Sequence, residues 1–179
     1  MLSVVLDFTS IFLAALLTGA MFCVWMILNP AHLDASHYTI LQQQGIRTLH
    51  PVMPALGGIS VALTLAAAYV ARQNKPRMSF LIVTAVFFII SGVITARINM
   101  PINRSVIQWS SSAPPNNWTE FRDVWWHWHK LRAVSGAAGL ALLIVANLLR
   151  DSETAGTLAS FTCVRPLLNA VMQVMSFFL

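Results

Sequence analysis

A chain of 179 residues that is 57% hydrophobic and only 9% charged is not built for water, because soluble domains carry about 25% charged residues. Its net charge of +5 comes from few basic residues, set at the edges of the apolar stretches rather than in a run, which makes nucleic acid a poor reading. Cys23 and Cys163 have neither the spacing nor the context of a CxxC site or a disulfide framework.

The first apolar stretch runs from 8 to 28, near the roughly 20 residues that cross a bilayer. Asp7 stands in front of it and no Lys or Arg precedes Arg47, so the basic start of a signal peptide is missing. It reads as a retained span. The connection that follows, 29–51, is too long for a tight turn. Tyr38, Leu41 and Leu49 recur at helical spacing, which predicts a short amphipathic helix lying at the interface. Gln43, Arg47 and His50 form one polar stripe on it. That stripe either faces the bundle, where Arg47 and His50 are candidate substrate-binding residues, or faces solvent.

Further spans are expected at 52–70, 78–95 and 133–149, and none of the four contains Asp, Glu, Lys or Arg. A transport role that needs an ionisable group within the spans is disfavoured accordingly. The hairpin RQNKPR at 72–77 holds three basic residues in a very short loop, so the positive-inside rule places it, with both termini, on the cytoplasmic side. Small residues at Ala15 and Gly19, and at Ala133, Ala137 and Ala141, have the spacing that permits close helix contact in lipid.

The third span runs into Asn99-Met-Pro-Ile-Asn103. Pro101 removes a backbone donor and restricts Met100, which predicts a break or kink around Asn99. Asn99 and Asn103 are candidate ligand-binding amides; satisfying the kinked backbone is the alternative use of both. After the turn-rich loop 110–117, a helix begins at Trp118 in which Trp118, Arg122, Trp125, His129, Arg132 and Gly136 are separated by 4, 3, 4, 3 and 4. On a helix they stay within about 40° of one another. An aromatic, cationic and imidazole column therefore faces one way, and its arginines need partners: Asp34, Glu120 and Asp123 are the carboxylates on that side, and an anionic or phenolic ligand is a natural partner. His127 falls on the opposite face, so the HWH pair does not ligate one metal. Five of the six tryptophans lie between Arg97 and Arg132; an aromatic belt accounts for Trp109 and Trp128. All five histidines map to the same side of the membrane, which favours a shared site.

The whole is expected to be an all-α protein: one four-transmembrane-helix bundle over 1–150, with interfacial helices on the side carrying the first and third connections. A tail at 151–179 carries a short amphipathic helix.

Asn29–Pro30, the QxxxR stretch Gln43–Arg47, NxPxN at Asn99–Asn103 and WxxxRxxWxxxHxxR at Trp118–Arg132 together resemble the anthrone-oxygenase-like membrane family, over roughly residues 8–150. That family has fungal polyketide-pathway oxygenases and many bacterial members of unknown role. The resemblance implies a multi-pass protein of a bacterial inner membrane, and an oxidoreductase of the monooxygenase type. Its reaction turns an anthrone methylene into a quinone carbonyl with O2 as co-substrate and no cofactor. On that reading His129 is the catalytic base, with Arg122 and Arg132 as catalytic stabilisers of the enolate oxygen. Asn99 and Asn103 orient carbonyls, and Trp118 and Trp125 stack on the rings. The partners are the bilayer, a hydrophobic aromatic small molecule and, as an option, further copies of the chain in a homo-oligomer. Two alternatives stand beside it. One is a non-catalytic protein for hydrophobic small-molecule binding or complex assembly. The other is a redox protein whose metal is held by His129 with His32, His37 or His50, although no HxxxH or HExxH pair supports that geometry.

Overall fold

The computed structural model describes residues 2–27, 29–151 and Gln173. Its helices are α1 (Leu2–Ile27), a 3₁₀ turn (Pro30–His32), α2 (Ala35–Leu49), α3 (Met53–Val70), α4 (Lys75–Ile94), a π-helical segment (Thr95–Asn99), α5 (Met100–Val106) and α6 (Trp118–Asp151). Four helices are long and apolar enough to cross a membrane: α1, α3, the run from α4 through α5, and α6. The expected helix of the tail lies outside the described residues, Gln173 apart.

Helices are the economical solution for such a sequence, since a backbone in hydrocarbon must satisfy its own hydrogen bonds. Neighbours around the bundle are α1 and α3, α3 and α4, α4 and α6, and α6 and α1. The large side chains point outward: Phe8, Phe12 and Leu16 on α1, and Ile82, Val86 and Val93 on α4, are about half exposed or more. The interior is small, with Ala14, Ala67, Ala68, Ala71 and Ala146 closing around Leu81, Phe88 and Leu143.

The small-residue stripes expected from spacing alone serve close approach only in part: Ala133 is buried with Leu17 and Met21. Ala15, Gly19 and Ala137 are exposed, while Ala14, Gly136, Ala138 and Gly139 are buried. Side-chain bulk decides this: a Cβ at Gly139 would stand 2.7 Å from Cε1 and 2.9 Å from Cδ1 of the buried Phe88 ring. Gly139→Ala is therefore expected to destabilise the bundle by about 1–3 kcal/mol through overpacking, measured as a lowered melting temperature in detergent. An unchanged melting temperature would show that α4 and α6 have slack at this contact.

One end of the bundle is tied by charge. Asp7 and Arg77 are 4% and 5% exposed, and one Arg77 Nη donates to both Asp7 carboxylate oxygens at 2.7 Å. An Nη of Arg150 donates to the same carboxylate at 2.9 Å. The start of α1, the start of α4 and the end of α6 thus share one level, which makes successive spans antiparallel. These three residues fall one position outside the apolar windows read from sequence.

At the other end, the break or kink expected around Asn99 takes the form of a π-helical segment, Thr95–Asn99, rather than a break. The third span continues as one helix to Val106, with Met100 at φ −67°, ψ −43°. The chain accommodates the proline through the π turn, in which the Met100 N–H bonds to the Thr95 carbonyl, five residues back. A π turn absorbs one extra residue and re-aims the side chains on both sides of it.

Candidate functional site

The site lies at the end of the bundle opposite the charged tie. α2 starts at Asp34, whose carboxylate accepts from the His37 backbone N–H at 2.9 Å, a standard helix N-cap. The helix is held across the bundle end by two glutamines. Buried Gln42 donates from Nε2 to Asn103 Oδ1 at 3.2 Å. Gln43 donates to the carbonyls of Val106 at 3.0 Å and Trp109 at 2.9 Å, satisfying the free end of α5. α2 is thus the expected amphipathic helix, anchored by Gln42 and Gln43 rather than by Arg47, which is exposed.

Beneath α2 and between all four spans is a cavity of 290 Å³, lined mainly by apolar groups of α1, α3 and α4. Its polar wall residues are Gln42, His50, Ser91, Thr95, Asn103 and Arg132. Ser91, Thr95, Asn99 and Asn103 are each four residues apart, so one polar stripe runs down the third span through the π turn.

Arg132 is the cationic group of the wall. Its Nε and one Nη donate to His129 Nδ1 at 3.1 and 2.9 Å, and the other Nη donates to Thr95 Oγ1 at 3.0 Å. Thr95 in turn donates to the Ser91 carbonyl at 2.9 Å, and Ser91 Oγ donates to the Arg132 carbonyl at 3.0 Å. The guanidinium is therefore fixed from two helices. Among the described residues no carboxylate pairs with it, and no Asp or Glu lines the cavity. A cation removed from water without a counter-ion is costly.

His129 stands behind Arg132 rather than in the cavity wall. It is fully buried, and its Nε2 lies 3.1 Å from the Met21 carbonyl. A carbonyl only accepts, so Nε2 carries the proton and Nδ1 receives the Arg132 bonds: the ring is a neutral tautomer with both nitrogens engaged. It lies parallel to the Trp125 indole at 4.8 Å and to Trp126 at 5.9 Å. The base expected from the sequence has no free nitrogen here; what His129 does is aim Arg132.

The rest of the column divides in the same way. Trp125 is buried and lines the cavity. Arg122, expected beside the substrate, instead bonds Asp123 at 2.7 Å and lies over the Trp118 ring at 4.9 Å. Trp118 packs on Tyr38 at 5.6 Å. Burial pushes the Tyr38 phenol above its ordinary value, so it stays protonated. Asn99 donates to the Trp125 carbonyl at 3.1 Å and joins two helices; it is absent from the cavity wall, whereas Asn103 is part of it. Helical arithmetic gave the shared face correctly. It could not say where along that face the cavity begins and ends. Gln42, Ser91 and Thr95 were missed, although the four-residue spacing of Ser91, Thr95 and Asn99 was visible.

The five histidines do not share a site. His37 bonds Asp34 through Nδ1 at 2.7 Å on the surface, His32 and His127 are exposed, His129 is engaged as above, and His50, itself exposed, lines the cavity. Among the described residues no three His, Cys, Asp or Glu side chains come together to hold a metal.

The family model described as anthrone oxygenase matches residues 46–142, more than half of the chain. The matched stretch contains His50, Ser91, Thr95, Asn103, Trp125, His129 and Arg132, while Asn29–Pro30 and Gln43 precede it. No curated protein and no solved structure gives a match.

Proposed function

The chain belongs to the anthrone oxygenase family, and from that premise we propose that it is a membrane-embedded oxygenase acting on a flat phenolic substrate with an acidic methylene. The observation that carries this reading is Arg132: a fixed guanidinium, with no carboxylate partner among the described residues, in the wall of a largely apolar cavity. An enolate or phenolate oxygen supplies the missing charge, and a preorganised donor in a largely apolar site stabilises it strongly.

The chemistry follows from that pairing. His50, the imidazole in the wall, takes a proton from the methylene, and Arg132 holds the enolate oxygen as charge develops. Trp125 offers its ring face to the planar substrate. Dioxygen then adds at the deprotonated carbon, and loss of water leaves a carbonyl, so CH2 and O2 become C=O and H2O. All four electrons come from the substrate carbon. The balance therefore needs no external reductant, in keeping with dioxygen as the co-substrate.

The test is quinone formation and oxygen uptake by the purified protein in nanodiscs supplied with an anthrone. Wild type is expected to exceed empty nanodiscs clearly, and His50→Ala to lose about 10²-fold, the usual contribution of a general base. His129→Asn is expected to lower the rate less than His50→Ala, by loosening Arg132 rather than by removing the base. Equal rates with and without protein would refute the oxygenase reading. A second reading, non-catalytic binding of a hydrophobic small molecule, is favoured by the largely apolar wall; it predicts ligand uptake without oxygen consumption.

A further inference from the structure

The cavity is not sealed toward the sides of the bundle. Among its wall residues, Pro54 and Gly58 on α3, and Ile89, Gly92 and Ala96 on α4 and the π segment, are exposed, with His50 exposed at the bundle end beside them. These sets sit on neighbouring helices, so the opening is a slot between α3 and α4. Glycine makes it. A Cβ at Gly58 or Gly92 meets nothing within 4 Å, so neither residue serves the close helix contact that usually explains glycine in membrane helices. Gly139, by contrast, does serve that contact. Around the slot the exposed side chains are apolar: Ile59, Ile89 and Val93 are 47%, 46% and 53% exposed.

The depth of the slot fixes what it faces. At a rise of about 1.5 Å per residue, Gly92 lies roughly 25 Å along the helix from Lys75, and Gly58 about 8 Å from Met53. In a hydrocarbon core about 30 Å thick, both lie beneath the headgroups, beside acyl chains rather than water. A neutral phenol dissolves there, whereas its anion does not.

We propose that this slot is the route by which an uncharged, flat aromatic ligand dissolved in the bilayer reaches Arg132, and that the ligand ionises only once inside. The proposal rests on the reading of the cavity as a phenol site. It specifies the substrate class: lipid-soluble, neutral, and thin enough to pass edge-on between two helices.

The test uses the full-length protein in nanodiscs and two probes that lack an oxidisable methylene. One is 1,8-dihydroxyanthraquinone, which is neutral; the other is anthraquinone-2-sulfonate, which is permanently charged. Loading is followed by stopped-flow quenching of tryptophan fluorescence, assigned to the cavity by its loss in Trp125→Phe. Gly58→Leu and Gly92→Leu are expected to slow loading of the neutral probe at least tenfold. Gly19→Leu, which adds the same bulk on the outer face of α1, should load like wild type, and the sulfonate should not load. Melting curves check folding, which open space around each added side chain should preserve. Unchanged loading in Gly58→Leu and Gly92→Leu, or sulfonate loading as fast as the neutral probe, overturns the slot and leaves the oxygenase reading standing. Failure of wild type to take up either probe overturns the phenol site and the slot together.

Discussion

Arg132→Met is expected to reduce quinone formation by about 10²–10³-fold while the protein still folds. The magnitude is that of removing one preorganised donor from a developing oxyanion. Methionine replaces the length and apolar bulk of the arginine stem, so the loss reports on the guanidinium rather than on the shape of the wall. Arg132→Lys should not rescue it. The observed arginine bonds His129 Nδ1 and Thr95 Oγ1 at once, and a point-like ammonium does not reproduce that fork. Stability is expected to change less than activity, because a half-buried cation with no carboxylate partner among the described residues is itself a cost in the resting protein. The measurement pairs anthrone turnover with a melting curve for each variant. Wild-type turnover in Arg132→Met would remove the guanidinium from the mechanism.

Asp7→Ala should act in the opposite sense, on stability before chemistry. It removes the acid that Arg77 and Arg150 share at the end of the bundle farthest from the cavity. Breaking a buried pair from one side costs about 3–5 kcal/mol, because it leaves the other charge uncompensated. The figure rests on the Asp7–Arg77 contact, since Arg150 is partly exposed and water screens its share. Unfolding in mixed micelles should show the loss directly. Replacing the buried pair together, Asp7→Leu with Arg77→Met, should recover much of it, as apolar residues of similar volume often do. If Asp7→Ala unfolds with wild type, the three-helix tie does not hold the bundle. If the double variant is as unstable as the single, packing rather than charge sets the penalty.

These two sites show what the sequence discloses and where it stops. Apolar runs free of ionisable residues delimit the four spans, because the length needed to cross hydrocarbon and the cost of charge inside it leave little choice. The same logic stopped the apolar windows one residue short of Asp7, Arg77 and Arg150, although α1 and α4 begin at Leu2 and Lys75, since three charges at three boundaries look separately like interface anchors. Their convergence depends on the antiparallel order of the helices. Pro101 carries a similar lesson. A proline predicts a missing donor, but whether the helix breaks or absorbs the defect through a π turn depends on what packs beside it, here Asn99 bonded to the Trp125 carbonyl.

The column on α6 is the most instructive case. Its spacing fixed a common face for Trp118, Arg122, Trp125, His129 and Arg132, because a helix has one periodicity. It could not rank them. Arg122 and Trp118 lie near the start of α6, where Asp123 and Tyr38 engage them, whereas Trp125 and Arg132 reach the cavity. His129 faces a carbonyl of α1 rather than the cavity, which takes a second helix to discover. What the sequence alone determined is the membrane-spanning class, the helix count and the face on which the polar chemistry sits, all consequences of local periodicity and transfer free energy. Only the tertiary structure decided which residues share the cavity, because side-chain partners more than a hundred residues apart, such as Met21 and His129, are set by how the helices pack.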